Sequence, residues 1–212
     1  ELRAFVAKNP KSFGYNGLKG GMSGVAFVVG WMYAYGGNPD VIQQGPYDAK
    51  ATSGWDKAFS ELKSFNQQVI FTPGNAGTLD MLNRGEIAMG PVWVDMFQTW
   101  KAEGRLAPNL KLKILSPGMP GQPMHYVIPA KSANAALAEK FVALATSAEV
   151  QAEGIVKRFN WYPGIDAQHV QKALDKATWD KLFIDVPPAD LARYGKPFPI
   201  APYNNAILEA YE

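Results

Sequence analysis

No cysteine occurs in the 212 residues, which excludes disulfides, thiolate zinc sites and a cysteine nucleophile. That absence fits an oxidising compartment. Histidine is almost missing as well: His125 and His169 stand far apart, leave little for a metal cluster, and each reads as a structural or surface residue. No cofactor and no bound metal are expected. Lys and Arg form no dense run, and the formal charge is only +2, so nucleic acid is not an expected partner. Apolar runs are short; the longest, Val25 to Tyr35, is interrupted by Gly30 and falls below the roughly 18 residues that a membrane span requires. Also missing are GxSxG, a P-loop, GxGxxG and HExxH, and the Ser, Asp and His residues form no recognisable catalytic spacing. No enzymatic activity is expected.

What the chain does have is 47% apolar and 12% aromatic content, enough for one large α/β domain or two small ones. Its central stretch is Gly77 to Phe97, GTLDMLNRGEIAMGPVWVDMF. Thr78 is positioned to cap a short helix carrying Leu79 and Leu82, Arg84-Gly85 to end it, and Ile87-Ala88-Met89 to form a brief buried strand. Gly90-Pro91 breaks that strand, and Val92-Trp93 turns into a second helix over Met96 to Trp100. An indole and the Asp95 carboxylate then lie at a strand-to-helix corner, where α/β sheets bind ligands.

Upstream, residues 1 to 9 read as a helix ended by Pro10, and Ser12 to Gly21 as a glycine-rich loop. Ser23 is a candidate cap for a helix from Gly24 to Tyr35, apolar on almost every side and therefore buried, with Gly36-Gly37 as its stop. The N–H groups at that helix start suit an anionic or polar ligand group, although an ordinary cap on a core helix explains the pattern as well. Trp55, Phe59, Leu62 and Phe65 recur at helical spacing as a core stripe, and Val69-Ile70-Phe71 is a short strand. Downstream, Leu110 to Leu115 alternates as a half-exposed strand, Ser116 to Pro123 reads as a hinge or rim loop, and His125 precedes a second strand. Two helices follow from Asn134. Thr146 and Glu149 match a capping box at the start of the second, which runs to about Phe159. Short helices are expected around 168–176, 178–183, 188–194 and 203–211.

Aromatics stand at the breaks: Tyr15, Trp93, Tyr126, Trp161 and Tyr162. At glycine- and proline-marked corners such residues suit cleft walls, where a flat face meets a sugar ring or a cation. Trp93 with Asp95 is the sharpest pair; the alternative is that Trp93 packs under the sheet edge and Asp95 caps its helix.

These elements, in this order, resemble the extracellular solute-binding proteins of ABC importers, family 1-like, in the two-lobed class. The resemblance is carried by LNRGEIAMGPVWVDMF, by MHYVIPAKSANAALAEKFVALATSAEVQAE with Ser147, Glu149 and Gln151 in place, by NWYPG, and by ELRAFVAKNPKSFGYNGLKGGMSGVAF. It implies a periplasmic-binding-protein-like α/β fold of type II. Residues 1–122 and 172–212 would form the C-terminal-type lobe, and 130–165 would be helices of the first lobe. Glu1 stands where an initiator Met and a leader are expected, and the family carries about a hundred further residues ahead of the matching segment. The expectation is a chain lacking most of the N-terminal lobe, whose helical pair exposes an apolar face and docks on the second lobe, self-associates or meets another chain.

By the resemblance, ligand contacts map onto Ser23, Gly24, Trp93 and Trp161; Asp95 and Tyr126 are added from the residues themselves. The implied activity is capture of a small solute outside the cytoplasmic membrane, in the periplasm, and its delivery to an ABC permease. The solute could be a sugar, a polyamine, a thiamine-like compound or an anion; a cation or polyol fits Trp93 with Asp95, and an anion fits the helix start at Ser23. The alternatives are an enzyme or a sensory or interaction module on the same architecture.

Overall fold

The computed structural model describes residues 1–121 and 124–212; the last two residues of the expected hinge loop, Gln122 and Pro123, and with them the expected lobe boundary at 122, lie outside the described residues. The first half of the chain runs α1 (Leu2–Lys8), β1 (Gly14–Tyr15), α2 (Met22–Tyr35), α3 (Pro39–Ile42), α4 (Trp55–Asn66), β2 (Ile70–Phe71), α5 (Asn75–Asn83) and α6 (Val94–Ala102). The second runs β3 (Met119–Pro120), α7 (Ala135–Ala145), α8 (Ala148–Val150), α9 (Ala167–Val170), α10 (Lys176–Leu182), α11 (Pro188–Tyr194), β4 (Gly195–Lys196) and α12 (Ala201–Tyr211). From α8 the chain continues as a π-helix over Gln151–Lys157.

Phe13 to Tyr15 form the middle of a small parallel sheet. Gly14 and Tyr15 pair with Ile70 and Phe71 on one side, and Phe13 bridges to Met89 on the other. The Ile70 and Thr72 amides each donate over 2.9 Å to the carbonyls of Phe13 and Tyr15, and the Gly14 amide donates over 3.0 Å to Met89. A strand thus sits inside the expected loop. Its glycine is there for packing: a Cβ at Gly14 would lie 2.9 Å from Ile87 Cδ1 and 3.0 Å from Thr72 Cγ2, so only glycine lets both neighbours close on the backbone. Ile87 is buried, as expected of that segment, but Ala88 and Met89 are exposed and only the single bridge forms.

The core lies against α2. Ten of its fourteen residues are buried, as its all-round apolar sequence requires. The expected stripe of α4 meets it with Trp55, Ala58, Leu62 and Phe65, and Phe59 packs at its margin. The Trp31 indole donates to the Ala58 carbonyl over 2.9 Å, which satisfies a polar atom that burial would otherwise strand. From the far end of the chain, α12 inserts Tyr203 and Ile207, both fully buried, and the Tyr211 hydroxyl lies 2.7 Å from that of Tyr15. A second parallel pair, β3 with β4, rests on α2 at Gly30, where a Cβ would lie 3.6 Å from Pro120 Cδ. A separate core joins Ala152 and Val156 to Val170, Leu174, Leu182 and Phe183.

Several local expectations are corrected. Leu110 to Leu115 keeps its alternation of half-buried and exposed residues but forms no strand, because alternation alone supplies no neighbour to bond with. His125 to Pro129 is likewise not a strand, and Tyr126 and Val127 are exposed. The cap of α8 is Ser147, whose hydroxyl accepts from Val150 N, while Thr146 Oγ1 turns back to the Val142 carbonyl over 2.8 Å. The apolar face of α7 needs no correction, since it is exposed as the sequence expectation has it: Leu137, Phe141 and Leu144 each leave more than half of their surface open. Strand content is smaller than an α/β expectation suggests, with two-residue strands in two pairs among the described residues.

Candidate functional site

Three helices begin where the strands of the first sheet end. Because β1, β2 and the Met89 bridge run parallel, their carboxyl ends share one edge. There β1 leads through Asn16–Gly21 to α2, β2 through Thr72–Gly74 to α5, and Met89 through Gly90–Trp93 to α6. The spatial order β2, β1, Met89 means that the chain leaves β1 for one neighbour and then crosses back to the other. In α/β sheets a reversal of this kind marks the crevice in which ligands bind.

Its floor is a hydrogen-bonded polar cluster. Ser23 Oγ can donate to Asn75 Oδ1 at 2.7 Å or Asn16 Oδ1 at 3.1 Å, and Asn16 Nδ2 donates to Asn75 Oδ1 over 2.9 Å. The start of α2 is thereby tied to the start of α5. Beside it the Thr72 and Thr78 hydroxyls meet at 2.6 Å, and Thr78 Oγ1 also donates to the Gly74 carbonyl. All of these except Asn75, which is half-buried, lie in the interior. Gly21 and Gly74 precede the two helices at φ of 131° and 138°, a conformation that favours glycine. Close approach explains two more: a Cβ at Gly24 would lie 1.8 Å from the Gly17 carbonyl oxygen, and one at Gly90 would lie 2.5 Å from that of Gly14.

None of α2, α5 and α6 has its first turn closed by the side chain of its N-cap residue, which is Gly21, Gly74 or Trp93. In α2 the Ser23 amide donates to Asn75 Oδ1 over 3.4 Å and the Gly24 amide to the Gly21 carbonyl, and in α6 Met96 N is taken by Asp95 Oδ1; the remaining first-turn N–H groups and about half a unit of positive charge are left at each helix start. Two sequence expectations change here. Ser23 lies inside α2 and bonds across to Asn16 and Asn75 instead of capping its own helix. Thr78 lies inside α5, whose N-cap, Gly74, stands four residues ahead of the expected one.

The six expected site residues fall in different places. Ser23 and Gly24 are together on the buried floor. Trp93 is half-buried at the N-cap of α6. Asp95 is exposed in the first turn of that helix, with Oδ1 accepting from Met96 N over 2.7 Å. Trp161 docks on the same helix, its indole donating to Thr99 Oγ1 over 2.8 Å and its ring 5.2 Å from Phe159. Thr99 is six residues beyond Trp93, about 9 Å along the axis. Tyr126 stands edge-on to Phe141 of α7, with ring centroids 6.4 Å apart.

Sequence reasoning missed Asn16, Asn75 and Phe71. Phe71 is exposed, lies with its ring tilted at 54° to that of Tyr15 and 5.3 Å from it, and faces the backbone of Gly17. The signals were thin: an Asn in a glycine-rich loop and one inside PGNAG. Among the described residues no group of three or more His, Asp or Glu is placed to hold a metal, and no helix is long and apolar enough to cross a membrane.

The family model described as bacterial extracellular solute-binding protein matches residues 1–166. The chain belongs to this family, and with it to the extracytoplasmic solute-binding proteins of ABC transport. Membership carries a periplasmic-binding-protein-like fold. Comparison with curated proteins and with solved structures finds no match.

Proposed function

We propose that this protein binds a small solute at the crevice where α2, α5 and α6 begin and delivers it to an ABC permease, without chemical turnover. The observation that carries the reading is the convergence of three helix starts, none closed by its N-cap side chain, on the carboxyl edge of one parallel sheet. Such a place offers backbone donors and positive potential to a ligand. The floor side chains are neutral amides and hydroxyls, so a hydroxyl-rich or anionic solute fits better than a polyamine. Trp93 and Phe71 supply flat faces at the rim. Trp161 acts by holding α6 through Thr99.

The fold is of type II in this reading, with residues 1–122 and 172–212 in the lobe that carries the crevice and 130–165 as helices of the other lobe. The solute would be enclosed as the lobes close. The exposed face of α7, with Leu137, Phe141 and Leu144, is the surface through which the chain would self-associate.

The test is a thermal-shift screen against sugars, polyamines, amino acids, thiamine and phosphorylated compounds, because a ligand of the native state stabilises by about 2.7 kcal/mol at a hundredfold excess over Kd. A hit that Trp93→Ala abolishes without lowering the melting temperature of the free protein supports the reading. A hit that Trp93→Ala leaves untouched places the solute elsewhere, and a chain that stabilises with no solute but self-associates through α7 favours an interaction module instead.

A further inference from the structure

Away from the helix starts, a groove of about 380 Å³ lies against the C-terminal half of α6. Three elements line it with one lysine each: Lys101 from α6, Lys157 from the π-helical segment and Lys181 from α10. Gln98, Asn160 and Thr178 add neutral polar groups, and Asn160 faces it from a left-handed turn at φ 57°.

The carboxylates nearby do not line this groove. Asp185 engages Lys101 at 3.4 Å and also accepts from Leu112 N over 3.2 Å. Glu153 engages Lys157 at 2.6 Å from the same helical face, with two thirds of its side chain in solvent. Asp180 is taken by Lys176, and Asp175 caps α10 through Thr178. Among the described residues Lys181 has no ion-pair partner. A concavity lined by one sign of charge over a partly apolar floor focuses its potential inward, and an ammonium offers three donors that rotate to meet an oxyanion.

We propose that this groove is a second binding site, for a small multivalent oxyanion such as a tricarboxylate or a phosphate compound, held between Lys101, Lys157 and Lys181. The proposal goes beyond solute capture at the helix starts and does not depend on it. Lys157 and Lys181 make the useful variants, since both are exposed and neither leaves a buried charge behind; Lys101 does not, because its loss would strand Asp185.

The experiment is isothermal titration of the protein with citrate and, separately, with inorganic phosphate at constant ionic strength, alongside the double variant Lys157→Gln/Lys181→Gln and the distant surface control Lys50→Gln. Saturable binding of at least one probe, weakened tenfold or more in the double variant and unchanged in the control and in Trp93→Ala, is the expected result. The probe that binds identifies the oxyanion class. No saturable binding of either probe, or equal binding by the double variant with an unchanged melting temperature, overturns the proposal. Solute binding at the helix starts is expected to survive in the double variant, which separates failure of one site from failure of the other.

Discussion

Gly24 illustrates how little space the crevice floor leaves. A methyl group there would meet the Gly17 carbonyl oxygen at 1.8 Å and Asn16 Oδ1 at 2.6 Å, and neither backbone nor cluster can yield without separating α2 from the β1 loop. Gly24→Ala is expected to destabilise the fold by about 1–3 kcal/mol or more, read from urea denaturation. Asn75→Ala removes the acceptor shared by Ser23 and Asn16 and is expected to cost about 1–3 kcal/mol through the polar groups left unpaired. Tyrosines govern the alkaline limit. Burial first, and the Asp185 charge second, push Tyr162 from 10.0 up to about 12, and burial is the main cause of upward shifts at Tyr15 and Tyr33 too. A group whose folded pKa is raised contributes stability that is complete below its unfolded pKa and is lost as pH rises through the folded one. Stability should therefore hold up to about pH 10 and fall from there past pH 12, and Tyr162→Phe should flatten part of that fall in denaturation curves. At this scale Ser23, Gly24 and Trp93 were noticeable in the sequence as candidates because each sits beside a local break. Asn16 and Asn75 were not, because their role arises where segments 59 residues apart meet.

Elements with strong periodicity were readable and those depending on a neighbour were not. The α4 stripe and the all-round apolar α2 declare their burial in their own residues. The β1 strand was hidden by Gly14, and Leu110 to Leu115 looked like a strand but found no partner. Cap positions shifted by one residue at α8 because Thr146 and Ser147 are chemically equivalent candidates, and Thr146 bonds back to Val142 instead. Burial also separates two helices of equal length. Ile207→Ala in α12 should cost about 2–5 kcal/mol, since Ile207 is fully buried in the main core. Phe141→Ser in α7 should change stability by no more than about 0.5 kcal/mol, since that ring is 61% exposed. Denaturant midpoints of the two variants, measured side by side, check both.

For the whole molecule, membership in the extracellular solute-binding family was legible from motif order, while the way the chain packs was not. One core draws on α1, α2, α4 and α12, and another joins Ala152 and Val156 to residues 170–183; no local pattern announces which distant segments share a core. The hydroxyls of Tyr15 and Tyr211 meet across 196 residues. A growing chain cannot make that contact until α12 has been synthesised, between about 10 and 40 seconds after Tyr15 at ordinary elongation rates. Throughout that interval the main core lacks Tyr203 and Ile207 and is open to one side.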